Sequence, residues 1–176
     1  VATFCRQIFA RLGRTAASMG TLGVTVSAPG QPDRQVTPPG LTTPDAADVA
    51  ELLARMAGEG VTHLALEASS HGVDQRRLDG VKLTAAGFLN LTQDHLDYHG
   101  TMGVYRAAKL RLFETLLPRG ATAVLNADSD QYEAFAAAAV AAGQTVLSTG
   151  TAGEGIGVVD RVLASDGQRL TLAHAG

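Results

Sequence analysis

Lysine is scarce in this chain: Lys82 and Lys109 stand against twelve arginines in 176 residues. Cysteine is scarcer still. Cys5 is alone, which excludes an intrachain disulfide and suits a reducing cytoplasm. No apolar run approaches the roughly 20 residues of a membrane-spanning helix, and no signal-peptide layout opens the chain. The net charge is −3 and the pI near 5.9, with no basic stripe. That balance argues against a nucleic-acid partner or an anionic-membrane surface. Neither lysine sits in a glycine-rich context, so the chain has no Gly-Lys-Ser/Thr loop to cradle phosphates through backbone amides. No internal repeat or low-complexity linker is present beyond one Ala-rich stretch.

What remains is a chain that is 45% apolar and long enough for one sizeable core, which reads as a single domain over 1–176. Phe4, Ile8 and Leu12 recur at helical spacing, with Gly13 as a stop. Residues 15–26 read as strand interrupted by Gly20 and Gly23, and 29–43 as loop or short hairpin. A helix start follows, with Thr43 as N-cap, Pro44 at the first helical position and Asp45 near the dipole's positive end. Val49, Leu52, Leu53 and Met56 form that helix's buried stripe. Strands are expected over 61–66, 82–92, 122–125 and 144–148, and helices over 101–117 and 129–142. Strand–helix alternation of this length predicts an α/β fold with a mostly parallel sheet, helices on both faces and right-handed crossovers. The tail alternates around Ser165-Asp166-Gly167 and reads as an antiparallel hairpin.

Chemistry concentrates in Asn90-Leu-Thr-Gln-Asp-His-Leu-Asp-Tyr-His-Gly100. Asp94, His95, Asp97 and His99 crowd into six positions just after the apolar run Ala85–Leu89. Ligands gather where the strands of open α/β sheets end. His63 and His174, without such company, read as structural or surface residues. Lys109 follows on a helix whose Leu110, Phe113 and Leu117 have core-facing spacing.

The segments Thr42-Thr-Pro44, Glu67-Ala-Ser-Ser-His-Gly72 and Asn90 to Met102, with Ala107-Ala-Lys109, resemble the central domain of the Mur ligases. They occur in unbroken order from residue 1 to about Asp128. The likeness is greatest to the branch that adds the third residue, meso-diaminopimelate or L-lysine, to the peptidoglycan stem peptide. The resemblance implies a P-loop-type central domain. It also implies a fragment, cut just after its phosphate loop and lacking an N-terminal domain and the amino-acid-binding C-terminal domain.

The implied reaction is ATP-driven amide formation. The carboxylate of UDP-muramyl-dipeptide takes the γ-phosphoryl group to give an acyl phosphate, which the amine of the incoming amino acid attacks. Glu67 matches a family ligand to magnesium at the ATP phosphates, a hard oxygen for a hard cation. His95 matches a ligand to a second magnesium. Lys109 falls on the family's carbamylated lysine, a role guanidinium cannot fill because it does not deprotonate. Thr42, Thr43, Ser69, Gln75 and Arg77 match contacts to the acceptor, and hydroxyls with an arginine suit its pyrophosphate and carboxylates. His71 stands at the same strand end, and Asp97 and His99 read as buttresses of their loop. Two other readings remain open: a non-catalytic acceptor-binding module, and a hydrolase with zinc or paired metals on Asp94, His95, Asp97 and His99.

Overall fold

The computed structural model describes residues 1–174 and divides into two compact units, 1–81 and 82–176. What the sequence offers as one mostly parallel sheet is distributed over two sheets, one in each unit.

The first unit contains α1 (Ala2–Arg11), β1 (Ala16–Gly20), β2 (Gly23–Ser27), β3 (Arg34–Thr37), α2 (Ala46–Gly58), β4 (His63–Leu66) and α3 (Ser70–Asp74). Its strands order as β3-β2-β1-β4, with β1 parallel to β4 and antiparallel to β2. The run expected as a single strand over 15–26 is therefore a hairpin. Gly20 pairs with Gly23 across a two-residue turn, and Gly23 has φ +82°, a conformation that disfavours a side chain. Residues 29–43, read as loop or short hairpin, supply β3, which pairs antiparallel with β2.

Side chains alternate across this sheet. Ala17, Met19, Val24 and Val26 bury against Met56, with Leu52 and Leu53 packed alongside, as the stripe of α2 predicts. The opposite face carries Ser18 and Ser27, and α1 meets it with a buried Arg6 rather than with an apolar stripe. Arg6 donates to Ser18 Oγ at 3.2 Å, to Ser27 Oγ, and to Asp33 at 2.6 Å. Phe4, Ile8 and Leu12 are exposed, so their helical spacing marks the outer side of α1. The start expected for α2 also moves. Asp45 is the N-cap, and Thr43 is spent elsewhere.

The second unit contains β5 (Ala85–Phe88), α4 (Leu96–His99), α5 (Met102–Arg111), a π-helical turn (Leu112–Leu116), β6 (Thr122–Asn126), α6 (Tyr132–Ala141), β7 (Thr145–Gly150), β8 (Ile156–Ala164) and β9 (Gly167–His174). Strands β5, β6 and β7 run parallel, β8 joins β7 in parallel at its start, and β9 returns antiparallel. This is a parallel sheet flanked by helices and closed by the expected hairpin. Phe88, Leu125, Phe113 and Phe135 make its core, with Phe88 stacked on Phe135 at 3.7 Å between ring centroids. The helix expected over 101–117 changes to π geometry at Leu112. Gln144 satisfies carbonyls there, donating through Nε2 to Phe113 O at 2.6 Å and Leu117 O at 2.7 Å. No helix among the described residues is long and apolar enough to cross a membrane.

Candidate functional site

In the first unit, β4 delivers Glu67 at its carboxyl end. Glu67 Oε2 accepts from the amide and hydroxyl of Thr21 at 3.2 and 3.3 Å. Thr21 Oγ1 lies 2.7 Å from Thr42 Oγ1. Thr43 is buried, and its hydroxyl donates to Glu67 O at 3.0 Å. Thr43 Oγ1 itself accepts from Ser69 N and Ser69 Oγ, both at 3.0 Å. Ser69 Oγ in turn accepts from Gly72 N and caps α3. A Cβ on Gly72 would stand 2.6 Å from Thr43 Cβ, so glycine lets the threonine segment reach α3.

Arg77 completes this network. Its guanidinium donates to Thr43 O at 2.7 Å and to Gln75 Oε1 at 2.6 Å, and lies 3.5 Å from Asp45. Arg76, just before it, holds φ +60°, a left-handed conformation uncommon for a residue with a side chain. Thr42, Thr43, Glu67, Ser69, Gln75 and Arg77, six residues named from sequence, thus share one network within one unit. A groove of about 330 Å³ nearby is lined by Met19, Gly20, Leu41, Pro44 and Leu52, among others, and by none of those six.

In the second unit, the motif after β5 folds around Tyr105. His95 is the N-cap of α4 at φ +54°. Its amide donates to Asp94 Oδ1 at 2.8 Å, and its Nε2 lies 3.6 Å from Asp94 Oδ2. The Tyr105 ring, buried on α5, meets His95 edge-on at 5.9 Å and stacks with His99 at 5.1 Å between centroids. Lys109 Nζ lies 5.3 Å from the centroid of the same ring, within range of a cation–π contact. Burial pushes the Lys109 ammonium below the ordinary lysine value, and Asp94 opposes that shift only in part. Burial also raises the Tyr105 phenol, and Asp94 adds to it.

His99 is buried, which fits a buttress and leaves it unsuited to a solvent-facing metal cluster. Among the described residues, no three of His, Cys, Asp and Glu converge as a metal-holding group. The four side chains considered for a hydrolytic site, Asp94, His95, Asp97 and His99, are not gathered into such a group among the described residues. His63 is half-buried, with Thr62 Oγ1 at 2.9 Å from Nδ1 and Phe9 at 4.7 Å, and His174 is exposed on β9.

Three residues escaped the sequence reading. Thr21 lay unremarked in the run read as strand, although it falls between Gly20 and Gly23, which interrupt that run. Asn126, at the end of β6, donates to Leu89 O at 2.9 Å and accepts from Asp128 N at 3.1 Å, pinning the start of the Asn90 motif. Asp128 accepts from Thr151 Oγ1, Thr151 N and Ala152 N. The Thr151 hydroxyl and the two amides hold its carboxyl below the ordinary range. A Cβ on Gly150, which has φ +115°, would stand 2.7 Å from Asp128 Oδ2.

Each unit thus places parallel strands against helices, an α/β arrangement whose strand ends are where ligands gather. Residues 1–175 match the Mur ligase middle domain, and the chain belongs to that family. It is 69% identical over all 176 residues to a protein of Caulobacter vibrioides named UDP-N-acetylmuramoyl-L-alanyl-D-glutamate–2,6-diaminopimelate ligase, covering 36% of that protein. A protein of the same name from Bradyrhizobium diazoefficiens is 48% identical over 180 residues, with all of this chain and 36% of the relative covered. A solved structure of a ligase of that name superposes with a TM-score of 0.84 at 28% identity, over 99% of this chain and 34% of its own. The chain thus spans about a third of the length of the curated relatives it matches.

Proposed function

We propose that this chain is the central part of a longer ATP-dependent ligase. That ligase joins 2,6-diaminopimelate to UDP-N-acetylmuramoyl-L-alanyl-D-glutamate in peptidoglycan synthesis. The observation that carries the reading is the 69% identity across the whole chain to a protein named for that reaction. The six-residue network of the first unit supports it. Sequence motifs alone left meso-diaminopimelate and L-lysine both open, and the names of the relatives favour the former. UDP-linked acceptor and ATP are cytoplasmic metabolites, and the proposed reaction belongs in that compartment.

The residues fit the roles the family gives them. Among the described residues both hydrogen bonds to the Glu67 carboxylate fall on Oε2, so Oε1 keeps its lone pairs for a cation. Magnesium, when bound, supplies positive charge to the phosphate oxygens between which the phosphoryl group moves. Thr42, Ser69 and Gln75 offer polar groups to the acceptor. Arg77 positions the threonine segment by holding Thr43 O, and its charge draws the acceptor's anionic groups toward that segment. His95 presents a half-exposed imidazole from a strained backbone. Lys109, whose amine burial makes easier to deprotonate, would add as the free amine to carbon dioxide and release one proton, giving an anionic carbamate whose oxygens would suit a cation.

The test is turnover by the full-length protein. Phosphate release that needs UDP-muramyl-dipeptide and meso-diaminopimelate together is expected, with L-lysine a poor replacement. Phosphate release that ignores the acceptor, or none at all, would overturn the reading.

A further inference from the structure

The β1–β2 turn carries a residue to which the resemblance gives no role. Thr21 directs both of its donors, amide and hydroxyl, at the same oxygen of Glu67, at 3.2 and 3.3 Å. Its hydroxyl oxygen is also 2.7 Å from Thr42 Oγ1. Gly20 opens the space for this approach, since a Cβ there would stand 2.4 Å from Glu67 Oε2. Glu67 Oε1 accepts no hydrogen bond among the described residues.

A glutamate at a strand end can rotate about three side-chain torsions and present either oxygen. Two donors on one oxygen remove most of that freedom and determine which oxygen stays open. A two-residue hairpin turn needs neither contact. A hydroxyl has one proton to give. When Thr21 gives its proton to Glu67, it must accept from Thr42, and the three side chains form a directed chain from Thr42 through Thr21 to Glu67.

We propose that Thr21 is a positioning residue that keeps Glu67 Oε1 aimed at a divalent cation and couples that aim to Thr42 on the acceptor side. This rests on the reading of Glu67 as a metal ligand and Thr42 as an acceptor contact.

Thr21→Val removes the hydroxyl while keeping shape and amide, and Thr21→Ala does so without added bulk. The full-length variants are titrated with Mn2+, the free ion being followed by electron paramagnetic resonance, and are assayed in parallel. Both variants are expected to bind Mn2+ about tenfold more weakly and to lose kcat, with Thr21→Ser within about twofold of the parent. Thr21→Val combined with Thr42→Val should cost less than the product of the two single effects. Wild-type Mn2+ affinity in Thr21→Val and Thr21→Ala, beside a weakened Glu67→Gln, would overturn the role of Thr21 alone. Unchanged affinity in Glu67→Gln would remove the metal role from Glu67 and this proposal with it. Strict additivity of the double variant would overturn the coupling to Thr42.

Discussion

A Cβ on Gly20 would stand 2.4 Å from Glu67 Oε2 and 2.5 Å from its Cδ. The glycine that ends β1 is therefore the space into which the candidate metal-binding carboxylate folds. Gly20 lies outside the left-handed region, so its backbone admits alanine without strain.

Gly20→Ala separates stability from activity for this reason. The methyl group displaces the end of a flexible side chain rather than backbone, so stability should change by no more than about 1 kcal/mol. In the full-length enzyme the displaced carboxylate should lower kcat at least about tenfold, the scale typical of a disturbed metal shell. Thermal unfolding and steady-state kinetics on the same preparation check both halves. Wild-type kcat would show that the carboxylate's position does not matter.

The opposite face of the first unit has an acid-sensitive tether. Ser27 and Arg6 hold the Asp33 carboxyl below its ordinary value, more than desolvation raises it. A carboxylate with a depressed folded pKa stabilises the fold above its unfolded pKa. That contribution fades as pH falls from the ordinary aspartate value of 3.8 through the lower folded one. Asp33 is half exposed, so after screening the effect is about 1 kcal/mol or less. Wild type should exceed Asp33→Asn in stability near neutrality, and the gap should close below pH 3.8. A gap that persists at lower pH would contradict the tether. Arg6→Met should cost about 1–3 kcal/mol at neutral pH, because buried serine hydroxyls lose their partner.

These contacts mark where sequence reading stops. The parallel strands, α2 and the hairpin were legible because their patterns have a period of two or 3.6 residues. The candidate site residues could be proposed because short motifs kept their order. The inner side of α1 was not, since Arg6 faces inward only because Ser18 and Ser27 stand opposite, 12 and 21 residues away. Thr43 had the local signature of a helix cap, yet Glu67 and Ser69 claim its hydroxyl from more than twenty residues on. Tyr105 stood outside the core-facing pattern read on its helix from Leu110, Phe113 and Leu117. Its contact with two imidazoles and Lys109 follows from the packing of α4 on α5, which no local pattern encodes.

The 176-residue chain by itself should show no ATP-dependent amide formation. It contains no Gly-Lys-Ser/Thr segment, and backbone amides in such a loop are what hold a nucleotide's phosphates for in-line transfer. The measurement is phosphate release with acceptor and diaminopimelate present, compared with the full-length enzyme. Turnover above a mock preparation would mean that phosphate binding is built from other residues.

Lys109 separates a reacting amine from a solvated charge. It is half-buried beside the Tyr105 ring, and its ammonium is destabilised by burial, conditions that favour reaction of the free amine with carbon dioxide. In the full-length enzyme Lys109→Ala should be nearly inactive, and acetate should restore part of the rate by supplying an oxygen where the carbamate would lie. Lys109→Arg should be equally inactive, because guanidinium stays protonated and forms no carbamate. A lysine serving only as surface charge would tolerate either change within about 0.5 kcal/mol. Carbon-13 bicarbonate labelling gives a readout independent of turnover: a carbamate resonance expected in the wild type and missing from both variants. Full activity in Lys109→Arg, or no labelled carbamate in an active wild-type enzyme, would refute the modification.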